Sequence, residues 1–354
     1  MRIEQIPTPA LIADMDALEQ NQRRMNEAIA RSGARLRPHY KSNKCISIVH
    51  MQLAAGAKGI TCAKLGEARD LVEAGIEDVL IANQIIDPAK LAEVAALANC
   101  CRLGIAVDHS ENVRNLEVAA AAQNATIYCL VEYEIGMGRC GVDNKEALYA
   151  LAREIQECPH LVFEGIQAYA GHLSHELSKQ VRTDKGAEIE ARLKEAKAYV
   201  EERGIKVNEV SGCSTATVFD HEEATVYTEF QAGSYIFMDM AYSALCDLGF
   251  QNSLFVLTTV ISKAGGKTIT DAGRKSVSLD QMDPAFCGYE GYPVKLSEEH
   301  SSIPLPEGEK RIGDKMRLIP GHCCTCVNIH DFIYFVRDGK VVDKAPVTSR
   351  GKSL

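Results

Sequence analysis

Lys41 ends a strand-like stretch within Arg37-Pro38-His39-Tyr40-Lys41-Ser42-Asn43-Lys44. A lysine amine shielded from water gives up its proton more readily than one in bulk solvent, and can then condense with a carbonyl as a Schiff base. Lys44 is its nearest rival and reads as a surface residue at the start of a helix. Far downstream, Pro320-Gly321-His322-Cys323-Cys324-Thr325-Cys326 offers an imidazole beside thiols. In an extended segment residues two apart share a face, so His322 and Cys324 are expected to point together. Imidazole with thiolate suits Zn²⁺, and two protein ligands leave the shell open for water or substrate, as in a catalytic site. Cys323 and Cys326 compete with Cys324 for this role.

Two loops of small residues could bind an anion: Ser211-Gly212-Cys213-Ser214-Thr215 and Ala232-Gly233-Ser234-Tyr235. Their glycines let the backbone approach a ligand, and consecutive amides with hydroxyls make a nest. Arg139 lies in Gly136-Met137-Gly138-Arg139-Cys140-Gly141, where flanking glycines let it fold back toward a polar ligand atom. Gln167 and Tyr169 precede Gly171-His172. An aromatic side chain there can cover a planar ligand, although core packing is its plainer use.

These groups need a scaffold, and the apolar pattern supplies one. Strand-like runs fall at residues 10–13, 35–41, 59–62, 79–83, 104–107, 127–133, 163–169, 208–211 and 229–235. Helical runs separate most of them, for example 65–74, 89–98 and 185–203. Strands alternating with helices imply parallel pairing through long crossovers. The nine strands exceed a closed (β/α)8 TIM barrel by one, so the first belongs elsewhere and the barrel begins at 35–41. An open doubly wound sheet is the competing architecture. In a barrel, Lys41 stands on the C-terminal rim, and the two small-residue loops follow strands seven and eight, where such barrels favour phosphate.

After about residue 245 helical periodicity fades. Short β-type runs at 254–262, 268–271, 316–320 and 331–337 are separated by turn signals such as Gly265-Gly266 and Asp338-Gly339. The expected organisation is a barrel over 14–243 and a mostly antiparallel β domain over 244–354, joined by the N-terminal strand within 1–13.

Composition removes other classes. The 354 residues are 46% hydrophobic and 25% charged, within the ordinary globular range. A net charge of −9 argues against duplex nucleic acid as a partner. No apolar run reaches the length of a membrane-spanning helix, and Met1-Arg2-Ile3-Glu4-Gln5 lacks the core of a signal peptide. Thirteen scattered cysteines read as free thiols in a reducing cytoplasm. No Gly-x-Gly-x-x-Gly follows the early strands, and there is no Walker loop and no Gly-x-Ser-x-Gly elbow.

Taken in order, several segments resemble the fold-type III pyridoxal phosphate enzymes, and within them the D-threonine aldolase/D-serine dehydratase group. They are Thr8-Pro9-Ala10, Arg37-Pro38-His39-Tyr40-Lys41, Gly138-Arg139-Cys140-Gly141, Gly165-Ile166-Gln167-Ala168-Tyr169 and Ser211-Gly212. Gly233-Ser234-Tyr235, Phe237-Met238-Asp239, Asp271-Ala272-Gly273, Pro320-Gly321-His322-Cys323, His330-Asp331 and Ser349-Arg350-Gly351 continue the series. The resemblance implies Lys41 as the Schiff-base lysine, with Arg139, Gln167 and Tyr169 on the coenzyme ring. It implies Gly212, Cys213, Ser214, Thr215, Gly233, Ser234 and Tyr235 around the phosphate. A divalent metal, Zn or else Mn or Mg, would sit on His322 and Cys324, and the chain would act as a homodimer on a small D-amino acid. Asn43 departs from the histidine that many relatives carry two residues after the lysine. Cys324 stands where the aldolases hold aspartate and the D-serine dehydratases cysteine. Gln231 stands where alanine racemases hold arginine, which counts against racemase chemistry. The expected activity is a lyase giving glycine plus an aldehyde from D-threonine or 3-hydroxyaspartate. The alternative is a dehydratase giving a 2-oxo acid and ammonia, and a binding-only homeostasis protein would carry the barrel alone.

Overall fold

Barrel strands are short and mostly buried because both faces are covered, one by the barrel interior and one by helices, and their polar residues must find partners inside. The computed structural model describes residues 1–221, 225–245 and 247–354. In it, Arg35–Leu36, Ile60–Cys62, Asp78–Ile81, Arg102–Val107, Ile127–Glu132, Leu161–Ala168, Glu209–Gly212 and Glu229–Phe230 form one parallel sheet. The second to eighth strands pair in chain order and the eighth returns to the first. A bridge between His39 and Thr61 joins the first strand to the second, with the Thr61 amide donating to the Pro38 carbonyl at 2.9 Å. The ring is closed, as the barrel reading requires. The open-sheet alternative fails.

Helices return the chain between strands. Asp87, with Pro88 at the first helical position, accepts the Lys90 amide to start Pro88–Ala98. Asn144 and Ser178 cap Lys145–Gln156 and Lys179–Glu201 in the same way. None of the described helices is long and apolar enough to cross a membrane.

The ninth strand, Ala10–Asp14, lies in a different sheet. It pairs antiparallel with Leu254–Ala264 and parallel with Phe332–Arg337. Two hairpins shape that sheet, through Gly265-Gly266 (φ 58° and 70°) and Asp338-Gly339 (φ 49° and 68°). Left-handed backbone at both central positions is what a two-residue hairpin needs to match strand twist. Ile6, Ile12, Phe255, Leu257 and Ile319 pack as its core. The small strands Ala285–Phe286, Lys295–Leu296 and Ser301–Ile303 were not anticipated; each is too short to leave a periodic signal. The barrel belongs to a compact unit of Asn26–Lys41, Val49–Gly233 and Lys352–Leu354. The second sheet belongs to a unit of Met1–Met25, Ser42–Ile48 and Ser234–Gly351.

Three local expectations fail for identifiable reasons. The first strand does not run to 41, because Tyr40–Ser42 is a 3-10 turn. The eighth does not run to 235, because Ser234–Ile236 is another. Lys44 is no surface residue: it is buried with φ 46°, and its amine donates to the Ser349 carbonyl at 3.3 Å.

Candidate active site

In the barrel unit, Lys41 stands in the turn that follows the first strand and opens into a cavity of about 270 Å³. Arg139, Gln167, Tyr169, Gln231, Asn83 and His39 line the same cavity. The Lys41 amine sits 5.4 Å from the centroid of the Tyr169 ring, within cation–π range. The Arg139 guanidinium lies 5.9 Å from that ring and 3.9 Å from Glu132. Left-handed backbone at Gly138 (φ 60°) and Gly141 (φ 107°) sets the turn that carries it. Burial pushes the Glu132 carboxyl up, and the Gln84 amide donates to it at 2.5 Å. All three expected groups on the coenzyme ring thus share one pocket with Lys41, together with Asn83 and His39, which sequence reasoning did not single out. Asn83 and His39 are ordinary polar residues in sequence; their position just past strand ends is the signal that could have found them.

Gln167 and Gln231 form an amide pair on one side of this cavity, with Gln231 Nε2 donating to Gln167 Oε1 at 2.7 Å. A primary amine, a tyrosine face and neutral amides in a pocket of this size fit a pyridoxal ring, whose aldehyde needs an amine and whose π-system accepts a flat cover.

The first anion loop belongs to the barrel unit. Gly212, Cys213, Ser214 and Thr215 are all buried. A Cβ on Gly212 would strike the Ala168 carbonyl, so strand packing alone accounts for that glycine. Cys213 holds φ 66°, uncommon for a non-glycine, while its thiol lies 3.3 Å from the Thr217 hydroxyl. Behind the loop, Glu190 meets His221 Nδ1 at 2.6 Å. Burial alone would lower the His221 imidazole, but contact with Cys213 and Glu190 outweighs it and raises the pKa to about 10. Gly233 ends the barrel unit. Ser234 and Tyr235 lie in the other, where the Tyr235 hydroxyl donates to Gln22 Oε1 at 2.9 Å and its ring packs on Phe250. That side chain is spent on structure, leaving its backbone for a ligand.

The expected metal pair lies in the sheet unit. The segment is not extended: His322 is the N-cap of a helical turn, Cys323–Val327, that carries Cys324. The two side chains nevertheless meet. Burial would lower the His322 imidazole; its contacts with Cys324 and Asp280 override this and raise it to about 9. Asp280 takes the other side of the ring, at 2.8 Å from Nδ1. A carboxylate there fixes the imidazole and leaves Nε2 for a metal, a common supporting arrangement around metal-bound histidine. Cys324 Sγ lies 3.5 Å from the Ser42 hydroxyl and 4.0 Å from the Ser234 hydroxyl. Buried Cys323 gives its amide to Asp239 at 2.8 Å, which holds the start of the turn. Among the described residues no group of three or more His, Cys, Asp or Glu that could hold a metal ion is found. His330 bonds the Ser276 carbonyl at 2.8 Å and Asp331 pairs with Arg350, both structural roles.

Comparison with known proteins agrees with this geometry. The alanine racemase N-terminal domain family matches residues 13–241, and a serine dehydratase domain family matches 253–336. A D-threonine aldolase of Arthrobacter sp is 37% identical over 359 residues, covering 99% of this chain and 94% of the relative. A 3-hydroxy-D-aspartate aldolase of Paracoccus denitrificans is 36% identical over 360 residues, covering 98% and 93%. The crystal structure of D-threonine aldolase from Filomicrobium marinum superposes with a TM-score of 0.94 at 34% identity, covering 99% and 98% of the two chains. A D-threo-3-hydroxyaspartate dehydratase of Delftia is more distant, at 28% over 90% of this chain and 91% of the relative. The chain therefore belongs to the D-threonine aldolase/D-serine dehydratase family of pyridoxal phosphate-dependent lyases, with its alanine racemase-like N-terminal barrel.

Proposed function

We propose that this chain is an aldolase that splits the Cα–Cβ bond of small D-3-hydroxy amino acids, of the D-threonine and D-3-hydroxyaspartate type, to glycine and an aldehyde. The observation that carries the reading is near-full-length likeness to two aldolases at 36–37% identity, against 28% for the dehydratase. Lys41 would hold the coenzyme through Nζ, with Arg139, Gln167 and Tyr169 about its ring and the loops 212–215 and 233–235 supplying amides and hydroxyls to its phosphate. When bound, the coenzyme supplies a sink for electron density leaving the α-carbon. Tyr169 presents its ring face to the Lys41 amine, 5.4 Å from the centroid. His322 Nε2 and Cys324 Sγ would hold a divalent metal, zinc on grounds of donor chemistry, that polarises the 3-hydroxyl and favours loss of its proton. Asp280 holds the imidazole for that purpose. A homodimer, the assembly the family resemblance implies, belongs to the same proposal. So does a cytoplasmic setting, which the free described cysteines support.

Cys324 is the observation that favours the second reading, dehydration of D-serine or D-3-hydroxyaspartate, because the dehydratases hold cysteine at that position. Product analysis separates the two. With D-threonine, D-serine and D-3-hydroxyaspartate as substrates, glycine plus an aldehyde is the expected outcome. Ammonia plus a 2-oxo acid, without glycine, would replace the aldolase by the dehydratase.

A further inference from the structure

Behind the Lys41 cavity four buried side chains make a single file of hydrogen bonds: Gln167, Gln231, Ser211 and Glu229, each at most 4% exposed. Gln231 Nε2 lies 2.7 Å from Gln167 Oε1 and 2.6 Å from Ser211 Oγ. Ser211 Oγ lies 2.6 Å from Glu229 Oε1. Beyond it, Arg37 Nε donates to both Glu229 oxygens at 3.0 Å, Lys58 donates to Oε2 at 3.1 Å, and the rest of the Arg37 guanidinium is forked onto Asp78.

The far end of this file dictates the near end. Burial alone would raise the Glu229 carboxyl, but Arg37, Lys58 and Ser211 hold it below its ordinary value, so it is ionised and can only accept. Ser211 must therefore give its single proton to Glu229. Its oxygen can then only accept from Gln231, which fixes the amino end of that amide toward Ser211. Both Gln231 protons are committed, one to Ser211 and one to Gln167 Oε1. The Gln231 oxygen in turn receives the Gln167 amino group at 3.3 Å. One N–H of Gln167 has no further partner among the described residues, and Gln167 lines the cavity. Turning the Gln231 amide over would put its carbonyl against a hydroxyl oxygen with no proton to offer, at 2.6 Å, and turning Gln167 alone would set amino against amino and carbonyl against carbonyl. Two acceptors at that distance repel, and an unmet buried polar group shifts an equilibrium by roughly tenfold or more.

We propose that Glu229, acting through Ser211, sets which edge of the Gln231–Gln167 amide pair meets the cavity, so that the coenzyme finds an uncharged surface with a hydrogen-bond donor from Gln167. Ser211 and Glu229 are then positioning residues. This rests on the reading of the cavity as the coenzyme site. It goes beyond that reading by assigning a function to two residues outside the cavity lining, and by choosing the polarity of the two amides that line it.

The test measures binding and spectrum rather than turnover. Cofactor-free protein is titrated with pyridoxal phosphate, and the dissociation constant and visible absorbance band are recorded for wild type, Ser211→Ala and Ser211→Thr. Ser211→Ala keeps the Arg37–Glu229 pair, so the cofactor-free protein should still fold cooperatively, with a melting temperature lowered by several degrees for the hydrogen bonds lost. Its affinity should fall by at least about twofold, with a displaced band, because an amide pair free to turn over presents the wrong edge in about half of the molecules. Ser211→Thr keeps the hydroxyl and should restore both. A Ser211→Ala protein with wild-type affinity and band overturns the orienting role while leaving the coenzyme site intact, and so does failure of Ser211→Thr to recover either property. If wild type itself takes up no pyridoxal phosphate, the cavity reading falls and the orienting role falls with it.

Discussion

The Lys41 cavity and the His322–Cys324 pair hold reactive groups by opposite means. Around Lys41, groups from strands far apart in sequence converge, and neutral amides set the floor while the charges stay deeper, on Arg37, Glu229 and Asp78. Around His322, the groups are two residues apart on one helical turn, and charge stands directly against them in Asp280. The first site is assembled by a barrel and should resist the loss of any single lining residue better than the loss of its buried ion pairs. The second is assembled locally and should be disabled without harm to the fold. What differs is the range over which the sequence must act to place a group.

Substitution probes this contrast at both ends. Lys41→Ala should remove turnover by at least about a thousandfold, since it deletes the group that reacts, while the melting temperature of the cofactor-free protein stays near wild type. Residual turnover close to wild type would transfer the role to another amine. His322→Ala and Cys324→Ala should each abolish chelator-sensitive turnover yet leave coenzyme uptake unchanged, as equilibrium dialysis can show. Asp280→Asn is the milder case: metal affinity should fall by roughly 10–100-fold with the coenzyme band unaltered.

Arg37→Met should act through stability. It removes the guanidinium that bridges Glu229 and Asp78 and leaves only Lys58 on the first and Arg102 on the second, so unfolding should become easier by about 2–3 kcal/mol, read from chemical denaturation. Loss of less than about 1 kcal/mol would mean that water reaches those carboxylates.

The smallest effect concerns pH. His221 has its folded pKa raised to about 10 above an ordinary value near 6.5, so its pairing stabilises the fold fully below about pH 6.5 and loses this as pH rises through about 10. Glu190 is held down to about 2, with burial opposing and the His221 hydrogen bond leading the pull, so its share is present above about pH 4.5 and lost only as pH falls through about 2. The stability gap between wild type and His221→Asn should therefore be wide at pH 6 and close toward pH 10. A gap constant over that range would show the imidazole to be neutral.

Much of this was legible in the sequence, and the rest was hidden for physical reasons. The barrel could be read because strand and helix periodicities alternate cleanly. Lys41 stood out because a strand end is where barrel chemistry is exposed. The ninth strand is separable on the same ground, since closure allows eight, and it pairs in the other sheet. The turn at Cys323–Val327 could not be read, because cysteine and threonine carry little helix propensity; the His322 N-cap position and Asp239, more than eighty residues earlier, start it. Asp280 and Lys44 were missed likewise: their partners, His322 and Ser349, are distant in sequence. The file from Gln231 to Glu229 left no motif, because alternate residues of two adjacent strands supply it.

The most direct test of the account is chemical trapping of the lysine. Holoenzyme reduced with borohydride and digested should yield a peptide carrying the pyridoxyl group on Lys41. The same group found on Lys44 or any other lysine, or on none, would contradict the assignment on which every other role depends.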